Sequence, residues 1–263
     1  MSERISEQKR HRPWFGWNPG PDTSMAFLTG IIWIGAYYLL THFSDPPLST
    51  LYGILAMLLV VVVPVWWFCL HRGRPLRELG ITGLRWKESL LVSIIVAVPF
   101  FWLIAGQYGS MGAEVLAPQI VANALILWEP FFVFCWLELR FGEAFGIIPG
   151  ILLAGLFFGA YHIGTYPPAA VGVLALYGIL FAAIFRLTDN LLSMWPIAWA
   201  ASSAKGTLAG GMLFAWNDVT QVALVLLLQL AFIGWIWRNW GTDRGRSSVE
   251  AGQARRSRED PER

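Results

Sequence analysis

The sequence predicts an all-α polytopic membrane protein with about eight transmembrane helices. Hydrophobic residues make up 56% of the 263 residues, and charged residues only 14%. Apolar runs of about 20 residues, the length that crosses a bilayer as a helix, recur along the chain. They leave little sequence for a separate soluble domain.

Short polar turns containing Pro, Gly, Ser or Asp separate the predicted spans. The spans cover about 25–43, 50–70, 88–109, 119–141, 147–165, 169–185, 193–214 and 219–238. This divides the chain into a polar leader over 1–24, a membrane domain over 25–238 and a tail over 239–263, whose composition predicts disorder. The leader lacks a small-residue cleavage site, so we expect the first span to be retained.

Basic residues lie on one side of this eight-span arrangement. All but one of the 19 Lys and Arg residues fall in the leader, the second loop or the tail, or at Arg140 and Arg186. The positive-inside rule makes this side cytoplasmic. We therefore expect a multi-pass protein of the cytoplasmic membrane with both termini in the cytoplasm. Lys205, inside the seventh span, is the exception.

The two cysteines, Cys69 and Cys135, lie in or at the end of apolar runs. They show no CxxC pattern and no Cys/His spacing typical of a metal site. We expect both to be buried small hydrophobic residues.

Three ionisable residues inside predicted spans are candidate functional residues, because a charge at bilayer depth costs about 3 to 15 kcal/mol. At 1.5 Å per residue, Glu129, His162 and Lys205 lie about 18–22 Å from the cytoplasmic ends of their spans. The three side chains could therefore share one level. The fourth and fifth spans form a tight hairpin, which favours a contact between Glu129 and His162.

A carboxylate and an imidazole at one level could bind a divalent metal, activate a water molecule or relay a proton. In a structural alternative, Glu129 is protonated or neutralised by Lys205, and His162 donates a hydrogen bond between helices. Pro130 removes the helical hydrogen bond to the carbonyl of Ile126. This predicts either a packing kink or a watered cavity beside Glu129.

The segment from Arg74 to Lys205 resembles the CPBP (Abi) family of membrane proteases, which includes type II CAAX prenyl endopeptidases and bacteriocin-processing proteins. Phe158-Gly159-Ala160-Tyr161-His162 matches the family's Phe-x-x-x-His motif in full. Arg74-Pro75-Leu76-Arg77-Glu78-Leu79-Gly80-Ile81 is similar to a segment common before the family's third span, and Trp195-Pro196 resembles its Trp-Pro. The first Glu of the family's Glu-Glu pair falls on Glu129.

Five motif positions depart from the family's pattern. The family's second Glu, its Arg and Gly, and the His and Asn of its third motif fall on Pro130, Phe134, Cys135, Ala201 and Lys205. In the family, the first Glu and the Phe-x-x-x-His histidine are thought to activate water, while the later His and Asn serve the oxyanion. Losing both oxyanion donors slows such a reaction by several orders of magnitude.

The resemblance implies a CPBP-type intramembrane endopeptidase homologue with Glu129 and His162 as catalytic residues. Lys205 is the candidate oxyanion or ion-pair partner, and Pro130 and Phe158 are expected to line the cavity. The alternative is a catalytically inactive scaffold, immunity or substrate-binding protein of the same fold, and proton or solute transport is a third function.

The sequence requires no cofactor, although a divalent metal could bind at Glu129 and His162. The expected partners are membrane lipid and a membrane-tethered peptide or protein. We expect no nucleic-acid partner.

Overall fold

The computed structural model describes residues 13–42, 45–209, 211 and 213–240, and its regular structure is helical. A single isolated bridge between Ile163 and Tyr166 is the only β-type pairing in this part of the chain. The predicted all-α polytopic fold is therefore confirmed. Residues 1–12 of the predicted leader, and the predicted disordered tail from 241 onward, lie outside the described residues.

Ten α-helices follow one another in the described residues. They are α1 Pro21–His42, α2 Pro46–Val65, α3 Trp86–Tyr108, α4 Ala113–Leu125, α5 Trp128–Pro130, α6 Leu139–Phe145, α7 Ile147–Ala160, α8 Pro168–Phe185, α9 Trp195–Ala201 and α10 Trp216–Trp240. Stretches of π-helix, Trp66–His71, Phe131–Glu138 and Ser202–Leu208, continue α2, α5 and α9. Short 3-10 turns lie at Leu76–Leu79, Gly109–Met111 and Leu191–Ser193.

Six helical segments of the described chain are long and apolar enough to cross a membrane. The predicted spans over 147–165 and 193–214 correspond instead to shorter segments, namely α7 and α9 with its π-helical continuation. The eight predicted spans are thus matched roughly, and the differences lie at their ends. The predicted fifth span, for example, extends to residue 165, whereas α7 ends at Ala160 and gives way to turns.

The fourth span occupies the centre of the helix bundle. Within Ala113–Phe145, 61% of the most apolar stretch is buried, against 22–44% for the other five long spans. Every residue of Phe131–Glu138 is buried. Side chains on this segment therefore face protein, and polar groups here must find protein partners or a cavity.

Glycines hold α7 close to α8. A Cβ at Gly155 would overlap the backbone of Ile179, and a Cβ at Gly159 would overlap the carbonyl of Val171. Small residues let membrane helices approach to backbone contact, where van der Waals packing stabilises the pair. This close packing fixes the helix that leads into His162.

One end of the bundle carries Arg74, Arg85, Arg140 and Arg186, and we call it the basic end. A network of ion pairs lies there. The guanidinium of Arg74 contacts carboxylates of Asp22, Glu78 and Glu143 at 2.8–3.1 Å. Burial acts to lower the pKa of Arg74, but hydrogen bonds and charges of Glu143 and Glu78 outweigh it, and the pKa is raised overall. Arg74 therefore stays charged and joins α1, α6 and the connection after α2.

Two further pairs extend this network into the interior. Arg140 is fully buried and contacts Glu143 at 2.9 Å. Arg186, just after α8, contacts the fully buried carboxylate of Glu138 at 2.7 Å and Asp189 at 3.4 Å. The acidic residues that follow Glu129 on this helix are thus held in ion pairs at the basic end.

Candidate functional site

A small pocket between the membrane helices brings the predicted site residues together. Its walls are formed by Phe100, Glu129, Pro130, Phe134, Phe158, His162, Leu174, Tyr177, Phe181, Ala198, Ala201, Ser202, Lys205 and Gly206. The cavity volume of about 40 Å³ is room for a few water molecules, since one water needs about 10–15 Å³. The pocket is mostly apolar, with a carboxylate, an imidazole, an ammonium and a hydroxyl in its wall.

Glu129 lies at the start of a helix inside the protein, because the fourth span is broken. α4 ends at Leu125, Ile126 has a non-helical backbone (φ −78°, ψ 88°), and α5 begins at Trp128. The amino-terminal end of a helix carries a partial positive charge that stabilises a carboxylate by about 0.3–2 kcal/mol. The break therefore favours an acidic residue at position 129.

The sequence predicted that Pro130 would cost the helix a hydrogen bond, but the structure shows no such loss. Pro130 lies in the first turn of α5, where a backbone nitrogen has no helical acceptor, so its missing N–H costs nothing. Helical bonding resumes at Phe131, whose N–H donates to the carbonyl of Leu127 at 3.2 Å. The chain thus breaks before the proline, and Pro130 continues the new helix.

Two hydroxyl groups donate hydrogen bonds to the Glu129 carboxylate. The Tyr161 hydroxyl donates to Oε1, and the Ser202 hydroxyl lies 3.4 Å from Oε2. Both donors belong to other elements of the bundle, so they fix the carboxylate relative to α7 and α9. Neither residue was among the predicted site residues.

Tyr161 and His162 both reach the site because α7 ends one residue before them. Consecutive residues within a helix point about 100° apart, so a span running to residue 165 would separate these rings. In the turn after Ala160, the two ring centroids lie 4.2 Å apart. Tyr161 could be predicted as a site residue only from the position at which α7 ends, and the apolar sequence does not indicate that position.

His162 has a defined tautomer. Its Nδ1 lies 2.7 Å from the backbone carbonyl of Phe158, and a carbonyl only accepts, so Nδ1 carries the proton. In the neutral ring, Nε2 is then the nitrogen with the free lone pair. The side chain is buried, and Nε2 receives no hydrogen bond from residues 13–42, 45–209, 211 or 213–240. It can accept a proton or a hydrogen bond from a molecule in the pocket.

Lys205 lies in the π-helical segment that follows α9 and lines the same pocket. No carboxylate oxygen of the described residues lies within 4.0 Å of its ammonium, so the Glu129–Lys205 ion pair is not formed at contact distance. Both Glu129 oxygens instead accept from hydroxyl groups. Lys205 therefore presents a cation in the pocket wall that could bind a carbonyl oxygen or a developing oxyanion.

A second polar cluster, which the sequence did not indicate, lies between α4 and the segment after α9. Asn123 donates to the hydroxyl of Thr207 at 3.2 Å and to the carbonyl of Gln119 at 2.8 Å. Thr207 in turn donates to the carbonyl of Ser202 at 3.1 Å. The cluster holds the backbone of Ser202, whose hydroxyl bonds Glu129.

The residues present do not fit a resident metal ion. Within the described part of the chain, no three His, Cys, Asp or Glu side chains group closely enough to hold one. Glu129 and His162 offer one oxygen and one nitrogen, whereas catalytic zinc sites take about three protein ligands. Cys69 and Cys135 are both free and buried.

Comparison with family models, with curated proteins and with solved structures gives no match for this chain.

Proposed function

We propose that this protein is an intramembrane endopeptidase homologue of the CPBP type, with Glu129 and His162 as its water-activating residues. The observation that carries the proposal is that Glu129, His162 and Lys205 line one small pocket in the membrane domain. A general base must lie within hydrogen-bond reach of the water it activates, and the pocket has room for water. The match of Phe158-Gly159-Ala160-Tyr161-His162 to the family motif supports the same function.

The proposed reaction gives Glu129, His162 and Lys205 each a role. A water bound between Glu129 and Nε2 of His162 attacks a substrate carbonyl carbon, and Glu129 takes its proton. Lys205 donates a hydrogen bond to the oxyanion in place of the family's asparagine. Glu129 then returns the proton to the leaving amine as the C–N bond breaks, which leaves a carboxylic acid and an amine. The acid then gives its proton to the amine, so the products are a carboxylate and an ammonium group.

The substrate class follows from the location of the pocket. α3 and α8 contribute Phe100, Leu174 and Tyr177 to its wall, so an apolar segment can approach between membrane helices. We therefore propose a membrane-tethered peptide or protein as substrate, with membrane lipid as the surrounding partner. The proposed location is the cytoplasmic membrane, with the basic end and both termini in the cytoplasm.

Cleavage of a panel of membrane-tethered peptides by the purified protein tests this function. We expect the wild-type protein to cleave at least one peptide and Glu129→Gln to lose that cleavage. Glu114→Gln serves as the matched control, because Glu114 is exposed in the first turn of α4 and away from the pocket. Equal cleavage by Glu129→Gln and Glu114→Gln would exclude the proposed base.

One observation favours the second function, a catalytically inactive scaffold, immunity or substrate-binding protein of the same fold. Both carboxylate oxygens of Glu129 already accept a hydrogen bond from a hydroxyl group. These bonds reduce the availability of the oxygens to a water molecule. In that case the wild-type protein binds a peptide from the panel and leaves it intact. Peptide binding by fluorescence anisotropy, measured beside cleavage, separates the two functions.

A further inference from the structure

A second cavity, separate from the Glu129 pocket, lies toward the basic end. Its volume is about 410 Å³, within the range of small-molecule sites. Leu125 and Leu127 form one wall, Trp195 another, and Leu226 and Leu230 of α10 a third. The break in the fourth span runs between the two cavities, since Leu127 lines this one and Glu129 the other.

Two polar side chains in this wall, Asn190 and Trp195, are already hydrogen-bonded, and the Trp195 indole donates to the carbonyl of Ala124 at 2.8 Å. The side-chain amide of Asn190 donates to the carbonyls of Thr82 and Leu84 at 3.0 and 2.8 Å, and its oxygen accepts from the N–H of Leu192 at 2.9 Å. Water is held in a cavity only where it finds two to four polar partners. The cavity is therefore suited to an apolar occupant.

Part of the cavity wall is exposed on a helix that is long and apolar enough to span a membrane. Leu230 and Trp237 line it and are 46% and 52% exposed, respectively. Both lie on this helix, α10. A lipid chain can therefore enter sideways without crossing water, and each methylene it buries contributes favourably.

Two exposed arginines lie next in sequence to residues at this cavity. Arg238 follows Trp237 in α10, and Arg85 follows Leu84, whose carbonyl is bonded by Asn190 of the cavity wall. The Arg85 guanidinium donates to the carbonyl of Leu187 at 2.8 Å. Neither arginine has a carboxylate within 4.0 Å among the residues the structure describes, whereas Arg72, Arg74, Arg140 and Arg186 all do. Their charge is available to an anionic headgroup.

We propose that this cavity binds one acyl chain of an anionic glycerophospholipid, with its phosphodiester at Arg85 and Arg238. The apolar wall selects the chain, its exposed part on α10 admits the chain from the bilayer, and the two arginines select negative charge in the headgroup. This site is independent of peptide cleavage, so it stands or falls separately from the proposed function.

Photo-crosslinking with a phosphatidylglycerol that carries a diazirine on its acyl chain tests the site. The full-length protein is reconstituted in nanodiscs, irradiated and digested, and the labelled peptides are identified by mass spectrometry. We expect label on peptides containing Leu125 and Leu226. Leu226→Trp fills the cavity and should lose this label. Leu227→Trp, one residue along and 64% exposed, should keep it.

Leu230→Trp is a second cavity-filling variant. Leu230 is partly exposed and tolerates a larger side chain, so the test does not depend on whether Leu226→Trp folds. Label that persists in both filled variants would overturn the cavity assignment. For the headgroup, unlabelled phosphatidylglycerol should compete at a concentration roughly tenfold below phosphatidylcholine. The Arg85→Gln/Arg238→Gln variant should lose this preference. Equal competition in the wild-type protein would overturn the anionic assignment.

Discussion

The hydroxyl of Tyr161 donates a hydrogen bond to the carboxylate of Glu129, and this contact joins the broken fourth span to the turn after α7. Tyr161 is buried, and its ring lies beside that of His162 with 4.2 Å between the ring centroids. The Tyr161 side chain thus contacts two of the ionisable groups of the pocket, Glu129 and His162. A carboxylate at membrane depth needs such donors, because no bulk water is available to solvate it.

Removing this hydroxyl should destabilise the protein. In Tyr161→Phe the Glu129 oxygen loses a donor, which costs about 1–3 kcal/mol for a buried polar group. Equilibrium unfolding in mixed micelles measures the loss. Tyr177→Phe is the control, because Tyr177 lines the same pocket and its hydroxyl bonds none of the described residues. Equal losses in the two variants would show that the Tyr161–Glu129 bond contributes little.

Lys205 should act on the reaction rather than on stability. Without an ion pair to break, the effects of Lys205→Met and Glu129→Gln on the free energy of unfolding should add within about 0.5 kcal/mol. Loss of an oxyanion donor should lower kcat of a cleaved peptide by about 10²–10³-fold. Lys205→Asn, which places an amide donor at this position, should recover part of the rate. A stability coupling above about 1 kcal/mol would instead indicate a Glu129–Lys205 pair.

Breaking the buried pair at the basic end should be costly. Arg186→Leu removes the guanidinium 2.7 Å from the Glu138 carboxylate, and stranding a buried charge costs about 3–5 kcal/mol. Arg186→Leu with Glu138→Leu should recover most of the loss, because neither charge then remains. Arg77→Leu, exposed at the same end, is the control. Chemical denaturation of these three variants and the wild-type protein measures the losses, and a double variant as unstable as Arg186→Leu alone would contradict the pair.

The α7–α8 contact should tolerate no added methyl group. A Cβ at Gly155 would lie 2.5 Å from the backbone nitrogen of Ile179, whereas a Cβ at Gly172 meets no atom within 4 Å. Gly155→Ala should therefore destabilise the protein, by about 1–3 kcal/mol for an overpacked site. Gly172→Ala should be neutral or stabilising by up to about 1 kcal/mol, because alanine favours a helix. Thermal unfolding that ranks the two variants in the opposite order would contradict the packing.

The sequence predicted the parts of this structure that depend on local composition. Long apolar runs are sufficient for membrane helices, and a hairpin between consecutive spans is sufficient to bring Glu129 and His162 to one level. The break at Ile126 was not predicted, because Ile126 and Leu127 are ordinary helix formers and Pro130 fits either a kink or a first helical turn.

The remaining differences arise from contacts between distant residues. Arg74 meets Glu143 across 69 positions, and Asn123 meets Thr207 across 84. No local pattern in one sequence specifies such pairs. The same holds at the site, where the Glu129 carboxylate accepts hydrogen bonds from Tyr161 and Ser202 and lies more than 4.0 Å from the ammonium of Lys205. The approach of the two hydroxyl groups depends on where two other helices end.

Glu129 and His162 are proposed to act as one site. A double-mutant kinetic cycle on a cleaved peptide tests this shared action most directly. Residues that act on the same water are strongly non-additive. We therefore predict that Glu129→Gln/His162→Gln cleaves no more slowly than the slower single variant. Rate losses that multiply in the double variant would contradict a shared site.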